Sequence, residues 1–461
     1  MKQPESITTR LVKHIVASDY QHMHRAAIKS TQIFILDSLG VALSGTRVPM
    51  VRHLKQMANS WGFGEAATIW GTGERVPAAT AAFINSYQIH NQEWDCLHEP
   101  AVVHPMAVVL ATLIAWAEAR GGITGRELIN ACSVAIDVAA GIGCAARNQL
   151  RFFRPAMCGA LGATAGIARL LKLDEHKTRS ALGIAYSQLS GTMQAHLEGS
   201  AVLPMQISFN TRAALNAIDL VQVGANGPKD FLEGQFGYFN LIDPDWDQNS
   251  FDDLEQCSRV TELSHKPFPS GRATHGGIDG TLILREKYSF NLNDIQTIRV
   301  IAPPLVVQLV DRLPSKEMTP SYARLCLPYV VASALLKGNI DVSDFDELAL
   351  RDPKRLELAK HVEVVRDQNP SLNALSPQRV EIFLKDGRSH SIDLPVVIGA
   401  PDRPLSHECH LEKFKLAAAS GLQALPSKNV ISLIDLINNL EDLTEIRELV
   451  LLMKFPPLLN Y

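Results

Sequence analysis

The chain has 461 residues, of which 46% are hydrophobic and 20% charged, and its formal net charge at pH 7 is -4. This balance excludes a globally basic surface for nucleic acid, so any binding must depend on specific pockets. The length exceeds the usual size of one domain and predicts two domains with a sizeable core.

Location follows from the cysteines and the amino terminus. Seven widely spaced cysteines without a C-x-x-C pair indicate reduced thiols. The first residues lack the apolar run of a signal peptide. The longest apolar stretches, such as 106–117, are too short to span a bilayer. We therefore predict a cytoplasmic protein that does not cross a membrane.

Apolar residues at helical spacing run through most of the first 260 residues. The segment 66–70 is short and ends in glycines, which indicates a lone strand or an extended link. Thr124 and Glu127 have the spacing of a capping box. The glycine- and alanine-rich patterns imply closely packed helices. Helices are predicted at 7–17, 25–43, 48–60, 78–89, 106–120, 127–146, 156–171, 174–189 and 209–223.

The pattern changes near residue 265. Alternating residues predict strands at 295–302, 362–366, 380–384 and 389–394, the last two joined by the turn signal Asp386-Gly387. Helices are predicted between the strands at 276–288, 323–336 and 344–350, and after them at 409–419, 429–440 and 444–453. We predict a mainly α fold with a large all-helical domain, 1–263, completed by the helices of 403–461, and a smaller α+β lid domain, 264–402.

Segment 90–105 collects histidines and carboxylates between two apolar helical patterns. Pro105 suits the first turn of the following helix, where its missing N–H would have no partner anyway. His104 then lies at the positive helix end, which favours its neutral form and can bind a carboxylate. We predict an acid/base or anion-binding site with His104 as general base. The alternative is a solvated loop.

Asp95 and His98 are the candidates to assist His104, and Glu93 is a candidate binding residue. If these three groups lay on the surface, they would neither assist His104 nor bind substrate. All four residues are suitable metal ligands, but their spacing matches no established motif such as H-E-x-x-H. Nucleotide-binding glycine motifs are also absent. We therefore predict neither a metal nor an organic cofactor.

Four further residues are candidates for substrate binding. Arg154 precedes Pro155 at a predicted helix start, where a cation is unfavourable unless it pairs with an anion. That anion is a substrate carboxylate or a protein carboxylate. Lys266, Arg272 and His275 lie in a Gly- and Pro-rich junction, which indicates either a site between domains or a rigid linker.

Tyr329 lies in an apolar helical pattern. Such a tyrosine is usually a core residue with a bonded hydroxyl, and substrate binding is the other interpretation.

The order of these blocks resembles the MmgE/PrpD family, which includes 2-methylcitrate dehydratase, cis-aconitate decarboxylase and iminodisuccinate epimerase. The similarity covers essentially the whole chain. It rests on the blocks 90–105, 151–163, 206–214, 266–275 and 323–329.

The resemblance implies a helical domain and an α+β lid with the site between them, a homodimer, no cofactor, and a small di- or tricarboxylate as substrate. The sequence departs from the family at three positions. Arg154 replaces a histidine, Gln206 takes the place of a lysine, and Gly271 replaces a histidine or cysteine. By its position in the family, Gln206 is a further candidate for substrate binding.

Together these observations predict a cofactor-independent lyase of the dehydratase type that removes a proton beside a carboxylate. Epimerisation, isomerisation or decarboxylation on the same scaffold is the alternative. Because the three departures put the chemistry in question, a catalytically silent carboxylate-binding protein is the second hypothesis.

Overall fold

The structure is a computed structural model that describes residues 5–254, 256 and 258–457; Cys257 lies outside the described residues. Helices dominate the first part of the chain, as the hydrophobic periodicity predicts. They are α1 (Ile7–Ala17), α2 (Arg25–Gly45), α3 (Pro49–Ala58), α4 (Ala78–His90), α5 (Pro105–Arg120), α6 (Gly125–Ala145), α7 (Arg154–Leu170), α8 (Glu175–Tyr186), α9 (Gln194–Glu198), α10 (Val202–Gln222) and α11 (Tyr238–Leu241).

Helices α5, α6 and α7 form the centre of this part, and α4 and α10 pack over them. Helix α5 is buried from Pro105 to Glu118. A Cβ atom on Gly162 of α7 would lie 2.4 Å from the carbonyl oxygen of Ala135 in α6, so only glycine permits this approach. The close packing predicted from the small residues is thus present.

The capping box predicted at the start of α6 is also present, with Thr124 and Glu127 bonding each other's backbone. The prediction of an all-helical first part is wrong in detail. Strand β1 (Ala67–Thr68) pairs with β2 (Arg75–Val76), and β3 (Leu97–His98) pairs with β4 (Leu263–Ser264), both antiparallel. Strand β1 lies in the segment 66–70, where the sequence indicates a lone strand or an extended link. The other three strands are two residues long and carry too little periodicity to be recognised in a sequence.

Two helices, α2 and α6, are long and apolar enough to cross a membrane, which corrects the prediction that every apolar stretch is too short. Their most apolar windows are 78% and 94% buried inside the structure, however. The apolar surface of both helices is therefore used in the protein core.

The second part of the chain contains a four-stranded sheet with the order β6-β5-β7-β8. Strand β5 pairs in parallel with β6 and antiparallel with β7, and β7 and β8 form the predicted hairpin. The elements are β5 (Ile295–Ala302), β6 (Val362–Arg366), β7 (Gln378–Leu384), β8 (Ser389–Leu394), α12 (His275–Lys287), α13 (Pro304–Val310), α14 (Pro320–Ala323), α15 (Leu327–Lys337), α16 (Glu347–Leu350) and α17 (Pro353–Ala359).

The single helix predicted over 323–336 is wrong, because the chain forms α14 and α15 with a break at 324–326. Pro328 lacks a backbone N–H and clashes with the preceding turn, so it fits only the first turn of a helix. It occupies that position in α15.

The carboxy-terminal helices pack back onto the first part of the chain, as predicted. They are α18 (His407–Ala419), α19 (Ser427–Asn438) and α20 (Arg447–Leu452). Helices α18 and α19 contact α2, and Arg447 donates to the carbonyl oxygen of Glu118 over 2.8 Å. The fold is mainly α; the domain bounds at 263 and 403 stay predictions.

Candidate active site

The polar segment connects two central helices and is itself buried. His90 forms the last residue of α4, and His104 is the N-cap of α5 without a capping hydrogen bond from its side chain. Glu93 and Val102 both have φ = 52°, a left-handed conformation that is unfavourable for residues with side chains. Such strain persists only where the surroundings enforce it, and it is common at functional sites.

Asp95 is the centre of the segment. Its carboxylate is fully buried and lies 3.0 Å from Nδ1 of His90 and 3.1 Å from Nδ1 of His104. The two imidazole rings meet edge to face, with centroids 4.9 Å apart. Because a carboxylate only accepts, both Nδ1 atoms carry the hydrogen. The Nε2 atom of His104 is then left as an acceptor.

Lys266 brings a positive charge to this group from the start of the second part of the chain. Its Nζ lies 3.1 Å from Glu93 and 3.9 Å from Asp95, and its side chain is fully buried. We call His90, Asp95, His104 and Lys266 the Asp95 cluster. A buried ammonium needs such partners, because desolvation without them is costly.

The two histidines of the cluster are shifted in opposite directions. Burial opposes a charge on His90, but the carboxylates of Asp95 and Glu93 outweigh it and raise its pKa above 6.5. Burial and the charge of Lys266 lower the pKa of His104 below 6.5, against the effect of Asp95. Near pH 6.5, His90 is therefore the protonated histidine of the pair and His104 the neutral one.

Both carboxylates are ionised. Burial alone would raise the pKa of Glu93, but Lys266 and the histidines lower it to about 2. The pKa of Asp95 lies well below 3.8 because His90 and His104 outweigh its burial. The cluster thus combines a charged imidazole, a neutral imidazole and fixed negative charges.

The cluster opens on a cavity between the helical and the α+β parts of the chain. His104 is the more accessible of its two histidines, with 11% of its side chain exposed against 1% for His90. Apolar residues such as Phe153 and Leu325 form most of the wall. The polar lining consists of His90, Glu93, His104, His196 and Arg272.

Arg272 lines the cavity, but its hydrogen bonds are largely used within the protein. Its guanidinium pairs with Glu99 at 2.8 Å and donates to the backbone oxygens of His265, Val397 and Ile398. These bonds hold the wall of the cavity in place. Its role as a carboxylate ligand stays a prediction.

Other predicted residues lie outside the cavity lining. His98 bonds Glu262 over 2.6 Å, and Arg154 bonds Asp243 over 3.2 Å. Gln206 bonds the backbone of Thr192 in both directions.

Two more predicted residues are used in packing. The Nε2 atom of His275 lies 3.1 Å from the carbonyl oxygen of Ser270. Tyr329 donates to the carbonyl oxygen of Asp344 over 2.5 Å. For these residues the structure shows a structural bond and no contact with the cavity; their predicted substrate contacts stay predictions.

Two polar residues of the cavity lining, His90 and His196, were not predicted as site residues from the sequence. His90 was visible in the polar segment, and its distance of five residues from Asp95 could have suggested a partner. His196 lies in the five-residue helix α9, where the sequence carries no signal for it.

Three ligand atoms of His90, Asp95 and His104 lie within 4.8 Å of one another and could in principle hold a metal ion. Both Nδ1 atoms already bond the carboxylate, and Lys266 supplies a positive charge at the same place. The geometry fits a hydrogen-bonded acid/base group better than a set of open metal ligands.

Fold and site together define a mainly helical protein with a buried acid/base group in a cavity between its helical and α+β parts. The chain belongs to the MmgE/PrpD family: the model of the MmgE/PrpD N-terminal domain matches residues 9–249, and that of the C-terminal domain matches residues 268–439. The family predicted from the sequence is confirmed.

Curated relatives cover nearly the whole chain. Cis-aconitate decarboxylase of Mus musculus is 30% identical over 471 residues, which cover 98% of this chain and 94% of the relative. The human enzyme of that name is 28% identical (98% and 95% covered), and that of Aspergillus terreus 27% (93% and 92%). Decarboxylases are lyases, so the relatives agree with the enzyme class predicted from the sequence.

Proposed function

We propose that the protein is a cofactor-independent carboxy-lyase for a small unsaturated polycarboxylate, with cis-aconitate as the first candidate. The observation that carries the proposal is the pair of histidines on one buried carboxylate, His90 with a raised pKa and His104 with a lowered pKa, beside one cavity. Opposite shifts of neighbouring groups mark a proton donor and a proton acceptor. The names of the relatives favour decarboxylation over the dehydration predicted from the sequence.

The reaction needs one proton. When the carbon–carbon bond to a carboxylate breaks, CO₂ leaves and the electron pair stays on the substrate, delocalised through the C=C bond toward another carboxylate. The imidazolium of His90 gives a proton to the carbanion. The proton leaves from Nε2 of His90, because its Nδ1–H stays bonded to Asp95. His104 takes up a proton from solvent at its free Nε2 and returns that proton to Nε2 of His90, while its own Nδ1–H also stays bonded to Asp95.

Positive charge for a polyanionic substrate comes from buried arginines. Arg312 and Arg324 are 9% and 5% exposed, and neither forms an ion pair with a carboxylate among the described residues. Burial lowers the pKa of both arginines, and the negative charge of Glu93 opposes that shift. Both guanidinium groups therefore lie close enough to Glu93 to interact with its charge. An anion in the cavity would complete the balance of charge.

Dehydration of a hydroxy-polycarboxylate is the second candidate. The neutral Nε2 of His104 favours it, because this atom can remove a proton beside a carboxylate. Dimerisation and the role of the α+β part as a lid remain proposals drawn from the family resemblance, and a cytoplasmic location remains a proposal drawn from the cysteines and the amino terminus.

The test is to incubate wild-type protein with cis-aconitate and with a panel of hydroxy-di- and tricarboxylates, and to follow products by NMR. Release of ¹³CO₂ with new olefinic signals from cis-aconitate is the expected result. Loss of water from a hydroxy acid without CO₂ would replace the proposal by dehydration. Binding without either reaction would favour the silent carboxylate-binding protein.

A further inference from the structure

The cavity contains a polar group for which the reaction above has no role. His196, in α9, lines the cavity together with His104 and Glu93. It reaches this place from a segment between α8 and α10. His196 is largely buried, with 8% of its surface exposed.

Arg312 determines which nitrogen of His196 carries the hydrogen. Its Nη2 lies 3.2 Å from Nδ1 of His196 and 2.5 Å from the backbone oxygen of the same residue. A guanidinium only donates, so Nδ1 must accept and the hydrogen lies on Nε2. This contact fixes the His196 ring as the tautomer with its hydrogen on Nε2.

The same contact keeps the ring neutral. Burial and the charge of Arg312 lower the pKa of His196 to about 4, against the effect of Glu93. At neutral pH the residue is a hydrogen-bond donor that carries no charge of its own. His104, which lines the same cavity, has the opposite tautomer. Its Nδ1 donates to Asp95, and its Nε2 is left as an acceptor.

Two residues predicted to bind substrate lie outside the lining of this cavity. Arg154 is bonded to Asp243, and Gln206 is bonded to Thr192. The cavity therefore needs another donor for substrate oxygens. His196 is a donor in that cavity whose Nε2 has no hydrogen bond among the described residues.

We propose that His196 is a further catalytic residue, whose Nε2–H donates a hydrogen bond to a substrate carboxylate oxygen, with Arg312 as its positioning residue. This inference rests on the proposed function. The oxygen concerned is the one onto which the electron pair moves when CO₂ leaves, so the bond strengthens as the carbanion forms. A donor fixed in advance stabilises this charge without reorganisation.

Several charged or titratable groups act on His196 and bear on its test. Arg312 contacts Nδ1 of His196, and its guanidinium carbon lies 4.9 Å from the centroid of the Tyr322 ring. The groups on the other walls of the cavity are His90, Glu93, His104 and Arg272, and Glu198 lies on the same helix as His196.

The first experiment measures binding of tricarballylate, a saturated tricarboxylate that cannot undergo the reaction, by calorimetry. His196→Leu should weaken binding about tenfold, the effect of losing a hydrogen bond to a charged group. His196→Gln keeps an amide donor near the position of Nε2 and should stay within about threefold. His176→Leu, on the exposed face of α8, is the matched control. Equal affinity of His196→Leu and wild type would overturn the inference.

The second experiment tests Arg312 by pH dependence. In Arg312→Met the pKa of His196 should rise above its value of about 4, because burial still lowers it but the charge of Arg312 does not. The ring then becomes charged at a higher pH than in wild type and binds the trianion more tightly as the pH falls. Wild type should lack this pH-dependent gain in affinity, and so should the double variant Arg312→Met/His196→Gln. An extra component that persists in the double variant would overturn the role of Arg312.

The two proposals can fail separately. If wild type binds tricarballylate through His196 but releases no CO₂ from cis-aconitate, the decarboxylase proposal fails and the binding role stands. If CO₂ is released and His196→Leu retains both kcat and affinity, the inference about His196 fails alone. In the positive case kcat of His196→Leu falls about 10²-fold, as for other lost oxyanion donors.

Discussion

Two buried clusters of this protein have the same composition and different properties. The Asp95 cluster combines an aspartate, two histidines and a lysine. The Asp37 cluster, formed by Asp37, His265, His410 and Lys413, has the same four residue types. It lies among α2, the segment after β4 and α18.

The hydrogen bonds of the two clusters differ. In the Asp95 cluster the carboxylate bonds both imidazoles. In the Asp37 cluster the carboxylate pairs with Lys413 at 2.6 Å, and the Nε2 atom of His265 and the Nδ1 atom of His410 have no hydrogen-bond partner among the described residues. Burial therefore dominates and lowers the pKa of His265 to about 3 and of His410 to about 4.

This difference shows that residue types alone do not define a site. Asp37 also acts to raise the pKa of His265 and His410 but does not outweigh their burial. Asp95, together with Glu93, outweighs the burial of His90. The Asp95 cluster also adjoins a cavity, whereas Lys413 donates to the carbonyl oxygen of Trp94 and links α18 to the polar segment 90–105. The Asp95 cluster is suited to proton transfer, and the Asp37 cluster is suited to holding α18 against the polar segment.

The strongest test of this comparison is Asp95→Asn. An amide cannot hold both imidazoles in the required tautomers, so kcat should fall about 10³- to 10⁴-fold. Steady-state kinetics on cis-aconitate measures the effect, with the exposed Asp402→Asn as control. A loss below tenfold would show that Asp95 does not organise the reaction.

The matching change in the other cluster is Lys413→Met. It leaves Asp37 buried without its cation, which should lower the free energy of unfolding by about 3–5 kcal/mol. Denaturant unfolding measures this change, and Lys415→Met on the exposed face of α18 is the control. Below the unfolding transition, kcat should stay within about fivefold. A large loss of kcat at unchanged stability would make the Asp37 cluster part of the catalytic machinery.

A smaller loss of rate is expected for His104→Asn. The variant removes the accessible proton acceptor and should lower kcat about 10²- to 10³-fold, with little change in KM. His53→Asn, an exposed substitution in α3, is the control. Unchanged turnover would refute the role assigned to His104.

The finest test is the pH profile of kcat/KM. Activity requires neutral His104 and charged His90, so it should rise with pH below 6.5 and fall only above 6.5, which gives a broad plateau. Lys266→Met removes a charge that lowers both pKa values, so both limbs should move to higher pH. Lys177→Met is the exposed control. Limbs that stay in place would show that Lys266 does not tune the histidines.

Much of the fold follows from local patterns. The helix periodicity, the Thr124–Glu127 capping box and the hairpin turn at Asp386-Gly387 are each determined within a few residues. The break before Pro328 follows equally local chemistry, although the longer apolar pattern concealed it. The parallel pairing of β5 with β6 could not be predicted, because strand partners far apart in the chain leave no mark in either strand.

The candidate site was predictable as a segment but not as a set of contacts. His98 and His90 both stand close to Asp95 in sequence, yet only His90 bonds it, because β3 turns His98 toward Glu262. Arg154 was expected to need an anion, and the anion in the structure is Asp243.

The sequence by itself determined the family, the mainly helical architecture and the position of the polar segment, because these depend on periodicity and on residue types in order. Tertiary structure decided which histidine is charged and which is neutral. Those states depend on distances of a few ångströms to Asp95, Glu93 and Lys266. The electrostatic energy of a buried group changes steeply over such distances, and the sequence does not contain them.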